Sequence, residues 1–182
     1  DILVVDDNDA NRYYLESLFG GHGYSVVSAG DGQSALALAR QEPPRLAIAD
    51  ILMPVMDGYA LCREWRIDPQ LAGIPFVFYT ATYTDARDAE FALKLGADRF
   101  LIKPLPPEEL MAVVAELVSV PQVEHEIGEN FLPEAFREHN EVLLRKLYKK
   151  VNDLQRSNDL LEQEIQSRRE AEAQLIHAQK ME

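Results

Sequence analysis

The sequence predicts an α/β protein built on a five-stranded, doubly wound parallel sheet over residues 1–120, with a long C-terminal coiled-coil helix over 137–182. Three observations carry that prediction. Short apolar runs alternate with helix-length segments up to about residue 120. Several of the runs are apolar at consecutive positions, as strands covered on both faces must be. After about Arg137 there is no proline or glycine, and apolar residues recur at spacings of three and four.

Taken in order, the strand candidates are Ile2-Leu3-Val4-Val5, Ser25-Val26-Val27-Ser28-Ala29, Leu46-Ala47-Ile48-Ala49, Ile74-Pro75-Phe76-Val77-Phe78-Tyr79 and Arg99-Phe100-Leu101-Ile102. The segments between and after them are long enough for helices at about 9–20, 32–41, 58–67, 84–95 and 107–118. Five strands, each followed by a helix, require right-handed crossovers and a parallel sheet. Ligands of such sheets gather at the carboxyl ends of the strands, near the switch in strand order. Gly20-Gly21-His22-Gly23 reads as a turn, because no Gly-x-Gly-x-x-Gly opens a helix.

Residues 121–136 read as a linker, with two prolines, a glycine and several glutamates. Beyond it, Leu147, Val151, Leu154, Leu161 and Ile165 form a heptad seam in which Asn158 fills the missing slot. A helix over 137–182 would extend roughly 65–70 Å and has no core of its own. A second copy is the simplest partner, and a buried Asn158 would favour a parallel, in-register homodimer. The alternative is a monomeric helix with Asn158 in solvent. Glu141–Arg145 and Glu164–Arg168 pairs would decorate the exposed side. After Ile165 the old register puts Arg168 and Glu172 inside, whereas Ala171, Leu175 and Ala178 suggest a shifted seam and a local change in supercoil winding.

Composition bounds the function. The 182 residues are 47% hydrophobic and 27% charged, which is globular usage and argues against a disordered chain. The net charge of −13 disfavours nucleic-acid binding through a broad basic face and suits a site that concentrates cations. One cysteine excludes an internal disulfide framework and fits a reducing, cytoplasmic compartment. No apolar run approaches the roughly 18 residues of a membrane span. Asp1 is followed at once by a strand and an acidic cluster, so no signal peptide is expected, and the abrupt start reads as a chain clipped at both ends. Cys62 is expected to be an inert buried thiol. His22, His125, His139 and His177 lack metal-ligand spacing and read as surface residues, while Tyr13, Tyr14, Tyr79 and Tyr83 read as packing or rim residues.

The strand ends carry the chemistry. Asp6-Asp7 closes the first strand, Asp50 the third, Thr80-Ala81 the fourth and Lys103-Pro104 the fifth. If those strands lie side by side, three carboxylates, a hydroxyl and an ammonium converge. Carboxylates and a backbone carbonyl suit a hard cation, with Mg2+ the natural occupant. Each residue has a plainer alternative: Asp6 or Asp7 as a helix cap, Asp50 as a turn former, Thr80 as strand filler, Lys103 as a solvated lysine, Phe100 as ordinary core.

Four motifs, in order, resemble the response-regulator receiver domains of two-component systems. They are Ile2-Leu3-Val4-Val5-Asp6-Asp7-Asn8, Asp50-Ile51-Leu52-Met53-Pro54-Val55-Met56-Asp57-Gly58, Tyr79-Thr80-Ala81 and Gly96-Ala97-Asp98-Arg99-Phe100-Leu101-Ile102-Lys103-Pro104. The resemblance covers residues 1 to about 120 and implies a flavodoxin-like fold. It implies Asp50 as phosphoacceptor, supplied by a histidine kinase or phosphotransfer protein. It implies Asp6, Asp7, Asp50 and the main-chain carbonyl of Leu52 as Mg2+ ligands. Thr80 and Lys103 would contact the phosphoryl group, Thr80 and Phe100 would switch, and Pro104 would follow a cis bond. Phe100 stands where many members carry tyrosine, and it has no hydroxyl.

The last fifteen residues, Arg168 to Glu182, resemble the helix entering the dimerisation domain of sensor histidine kinases, with His177 ahead of the phosphoaccepting position. This implies a receiver fused ahead of a kinase core that lies outside the chain. Two alternatives stay open: the input half of another output enzyme, such as a diguanylate cyclase or a phosphatase, and a non-signalling assembly module. The 182 residues contain no recognisable ATP-binding domain or DNA-binding element. The only chemistry expected of them is to accept and hydrolyse their own phosphoryl group.

Overall fold

In the computed structural model, which describes residues 1–82, 86–119, 158, 165, 166 and 168, strands and helices alternate. They are β1 (Ile2–Val5), α1 (Asp9–Gly21), β2 (Val26–Ala29), α2 (Gly32–Gln41), β3 (Leu46–Ala49), α3 (Gly58–Ile67), β4 (Phe76–Thr80), α4 (Ala86–Lys94), β5 (Arg99–Ile102) and α5 (Pro107–Ser119). All four pairings are parallel, in the order β2-β1-β3-β4-β5. The doubly wound sheet expected from the apolar runs is therefore present, and β1 is the strand from which the order runs both ways.

The strands alternate between two packed faces. Ile2, Val4, Ile48, Val77 and Tyr79 join Leu15 and Phe19 of α1 and Leu110 and Val114 of α5 in one core cluster. On the other face α3 meets β4: Trp65 packs edge-on to Phe76 and Tyr59 tilts against Phe78, with ring centroids 5.6 and 5.1 Å apart. β1 and β3 are buried at every position, which is why their sequences do not alternate.

Two boundaries show what the apolar pattern does not carry. β4 begins at Phe76, not Ile74. The Ile74 N–H turns back to the Leu71 carbonyl, and Pro75 has no N–H to give, so pairing starts where the Pro75 carbonyl accepts from Ala47. α4 ends at Lys94 because Gly96, at φ +105°, closes it: the Gly96 and Ala97 N–H groups bond back to the Leu93 and Ala92 carbonyls.

A buried arginine ties the amino-terminal ends of β4 and β5 to α3. Arg66 donates to the carbonyls of Ala72, Ile74 and Gly96 and pairs with Asp98 at 2.7 Å. The same Asp98 oxygen accepts the Phe76 N–H at 2.7 Å, where β4 starts. The charge is stable here because each of the three guanidinium nitrogens meets an oxygen. Cys62, one turn earlier, is fully buried, and burial pushes its thiol up to about 12.

Among the described residues no helix is long and apolar enough to cross a membrane. The chain divides into two units, Asp1–Glu129 and Asn130–Glu182, and the sheet lies in the first. In the second, Asn158, Ile165, Gln166 and Arg168 are helical and exposed. The expected linker 121–136, the rest of the coil over 137–182 with its register shift, Tyr83, His125, His139 and His177 lie outside the described residues.

Replacing Arg66 with leucine removes the guanidinium from Asp98 and from the Ala72, Ile74 and Gly96 carbonyls, so urea unfolding followed by Trp65 fluorescence should show a loss of about 3–5 kcal/mol. Unchanged stability would deny the tie. A thiol reagent at pH 8 should modify Cys62 only as fast as the domain unfolds; rapid native-state labelling would contradict its burial.

Candidate functional site

The strand order brings the expected residues together. Val5 pairs with Ala49 in register, so Asp6 and Asp50 leave adjacent strands at the same level, and the Asp50 N–H donates to the Val5 carbonyl at 2.8 Å. Ala49 pairs with Phe78, and Thr80 with Ile102, which sets Lys103 beside the end of β4. One oxygen from each of Asp6, Asp7 and Asp50 lies within 4.8 Å of the others.

Asp6 is 1% exposed and fully engaged. It accepts from the Asn8 N–H at 2.9 Å, and the Asn11 amide reaches both its oxygens at 3.1 Å. Arg12 donates to the Asp6 main-chain carbonyl at 2.6 Å and pairs with Asp9. Neither Asp6 nor Asp7 caps α1. Asn8 does that, accepting from the N–H groups of Ala10 and Asn11, which leaves the two acids to the site. Asp7 is exposed.

Asp50 accepts from the Ile51 N–H at 2.7 Å through one oxygen and from Lys103 Nζ at 3.2 Å through the other. The loop after it must fold back tightly, and Gly58 makes that possible. A Cβ there would stand 2.2 Å from the Asp50 carbonyl oxygen, so any side chain would push the loop off the site. Asp57 then caps α3 through the Ala60 N–H. Leu52 is half-buried in this loop. Val55 is 79% exposed with φ +66°, a strained conformation for a β-branched residue that costs roughly 1–3 kcal/mol.

Lys103 is the positive centre. Its ammonium stands 2.5 Å from Asp6 and 3.2 Å from Asp50, and 5.2 Å from the centroid of the Tyr79 ring. Two carboxylates this close repel by about 4 kcal/mol at an effective dielectric of 20, so the pocket depends on that charge and on the donors around Asp6. Its backbone is fixed too: the Lys103 N–H donates to the Thr80 carbonyl at 2.8 Å, and the Lys103–Pro104 bond is cis, as expected. Thr80 is completely buried, and its hydroxyl accepts from the Thr82 N–H at 3.3 Å. Phe100 is half-buried against Phe78, with centroids 6.3 Å apart.

Asp6, Asp7, Asp50 and Lys103 thus share one pocket, with Thr80 on the neighbouring strand end. Phe100 faces the aromatic packing, and Asn158 belongs to the other unit. Tyr79, Asn11 and Arg12 touch the pocket without having been singled out for it. Nothing in a single sequence ties Asn11 to a carboxylate five positions earlier, and Tyr79 reads as packing because the rest of β4 is aromatic or apolar. Three hard oxygen donors converging beside a half-buried ammonium fit a small divalent cation such as Mg2+.

The comparisons agree with this geometry. A transcriptional regulator of the ycf27 type from Porphyridium aerugineum, designated probable, is 37% identical over 132 residues, which is 72% of this chain and 52% of that protein. The DNA-binding response regulator MtrA of Mycolicibacterium paratuberculosis is 36% identical over 137 residues, 69% of this chain and 59% of its own length. The chain spans about half the length of such curated relatives. Their names conflict with the expectation of no nucleic-acid partner. The charge argument behind that expectation covers only these 182 residues, and those proteins are longer than the matched region. Among solved structures, the receiver domain of a signal transduction histidine kinase from Syntrophus aciditrophicus superposes with a TM-score of 0.62 at 34% identity, covering 71% of this chain and 98% of that one. The family described as response regulator receiver domain matches residues 2–115. By that match and by its fold, the chain belongs to the response regulator receiver domain family of two-component signal transduction.

Proposed function

We infer that Asp50 accepts a phosphoryl group from the phosphohistidine of a histidine kinase or phosphotransfer protein, and that the domain relays this state through the C-terminal helix. The observation that carries the reading is Lys103 Nζ held between Asp6 and Asp50 at 2.5 and 3.2 Å, with Asp7 alongside. An Asp50 oxygen attacks phosphorus, the P–N bond breaks, and the imidazole leaves with its electron pair; water later hydrolyses the acyl phosphate and restores the carboxylate. Mg2+, when held by Asp6, Asp7, Asp50 and the Leu52 carbonyl, neutralises phosphoryl charge during transfer. Lys103 supplies a point charge to the phosphoryl oxygens, and the Thr80 hydroxyl supplies a hydrogen bond. Asn11 and Arg12 hold Asp6 in place throughout.

The output follows from the sheet. Thr80 and Phe100 project from the same face of adjacent strands, since Phe78 pairs with Phe100 and side chains alternate. Rotation of Thr80 toward a phosphoryl group vacates space that Phe100 can enter, altering the face formed by α4, β5 and α5. A parallel dimeric coil over 137–182, set in register by Asn158, carries that change to a histidine kinase core in the cytoplasm. A second reading, a DNA-binding output, is favoured by the names of the relatives above. The sequence following residue 182 separates the two: a phosphoaccepting histidine motif supports the kinase, a DNA-binding domain the alternative, and a Gly-Gly-Asp-Glu-Phe motif would replace both with a cyclase.

Incubation with phosphoramidate and Mg2+ should place one acid-labile, hydroxylamine-sensitive phosphoryl group on wild type and none on Asp50→Asn, and chelation of the metal should reduce labelling to background. Label persisting in Asp50→Asn would refute the assignment. Light scattering should give twice the mass of one chain; a monomer at micromolar concentration would remove the coil from the account.

A further inference from the structure

We propose that Tyr79 is a positioning residue for phosphoryl transfer, a platform on β4 that aims the Lys103 ammonium at the phosphoryl site; this rests on the phosphoacceptor reading. Three observations meet on this one side chain. Its ring centroid lies 5.2 Å from Lys103 Nζ, within cation–π range. Its hydroxyl accepts the Leu105 N–H at 3.3 Å, two residues past the lysine. Its ring is 5% exposed and packs in the core cluster with Leu15, Leu110 and Val114.

The sheet explains why these coincide. Tyr79 pairs with Leu101, and Lys103 continues the parity of Leu101, so the lysine side chain leaves on the face where the ring stands. Thr80, the next residue, holds the Lys103 N–H through its carbonyl at 2.8 Å. Two consecutive β4 residues therefore fix the backbone, the head and the following turn of one lysine.

The need for such a platform comes from the other contacts. Lys103 has four rotatable bonds, and its two ionic partners, Asp6 and Asp50, change partner or charge each time the site works. The ring takes no part in the transfer, so its attraction persists through the cycle. Because the ring is anchored by the core and by Leu105, it restrains the ammonium without itself being free to move. An aliphatic residue at 79 would fill the core but lack the ring quadrupole.

The test uses the 182-residue chain with phosphoramidate and Mg2+, following phosphorylated Asp50 by intact mass. Tyr79→Leu is expected to label about tenfold more slowly than wild type, and Tyr79→Phe, which restores the ring but not the hydroxyl, about two- to threefold more slowly. In a Lys103→Met background, Tyr79→Leu is expected to add no more than about twofold, because a contact acting through the lysine is already gone. By NMR the Lys103 ε-methylene protons should be shifted upfield by the ring in wild type and Tyr79→Phe, and not in Tyr79→Leu. The wild-type shift is read whether or not Tyr79→Leu folds. Labelling of Tyr79→Leu at the wild-type rate, equal slowing in both backgrounds, or unshifted ε protons in wild type would overturn the proposal. A wild type that shows the shift but never takes a phosphoryl group would overturn the phosphoacceptor reading and leave the ring–lysine contact standing.

Discussion

The structure of the pocket depends on a compensated electrostatic conflict. Three carboxylates crowd one strand edge, where mutual repulsion would spread them, and the Lys103 ammonium stands between two of them. Asp6, the most buried of the three, also draws on the Asn8 N–H and the Asn11 amide. The arrangement is balanced without being saturated. Asp7 remains exposed, and one Asp50 oxygen accepts from the lysine alone among the described residues. A pocket in that condition fits a further cation.

Holding four groups together requires rigid strands beneath them, and the packing provides this from both faces. Tyr79 and its neighbours lock β4 to α1 and α5 on one side; Tyr59, Trp65, Phe76 and Phe78 lock it to α3 on the other. The opposite ends of β4 and β5 are fixed separately by the Arg66 guanidinium. Among the described residues, a positive φ outside glycine occurs only in the loop between Asp50 and α3, at Val55, and Gly58 at the start of α3 lets two backbones touch. The loop that follows Asp50 is thus the least relaxed part of the described backbone, while β1 and β3, which end at the acidic cluster, are buried at every position.

The same strand that supports the pocket leads away from it. Thr80 ends β4 at the acidic cluster, Phe78 lies two residues earlier on the same face, and Phe100 rests on Phe78 from β5. Tyr59 bridges Phe78 to Phe91 of α4, with centroids 5.1 and 5.2 Å away. Phe100, Phe78, Tyr59 and Phe91 thus form one aromatic contact path that joins β5 and β4 to α4.

Much of this was legible in the sequence because it is local. Runs such as Leu46-Ala47-Ile48-Ala49 have the apolar composition of doubly covered strands, and the acids and the lysine sit directly at run ends, where a parallel sheet collects them. The glycine after Asp57 was visible as a motif, though the 2.2 Å approach that explains it was not. What the sequence could not determine were relations between residues distant along the chain. The start of β4 was misplaced by two residues because pairing partners, not apolarity, decide where a ladder begins. Asn11 on Asp6, Arg66 on Asp98 and Tyr79 under Lys103 have no periodicity or motif to mark them, since each depends on which strand lies next to which. The sequence by itself determined the composition of each strand and the chemistry at its end. Only the tertiary structure decided which side chains share a pocket, because strand order and register are set by packing across the whole sheet.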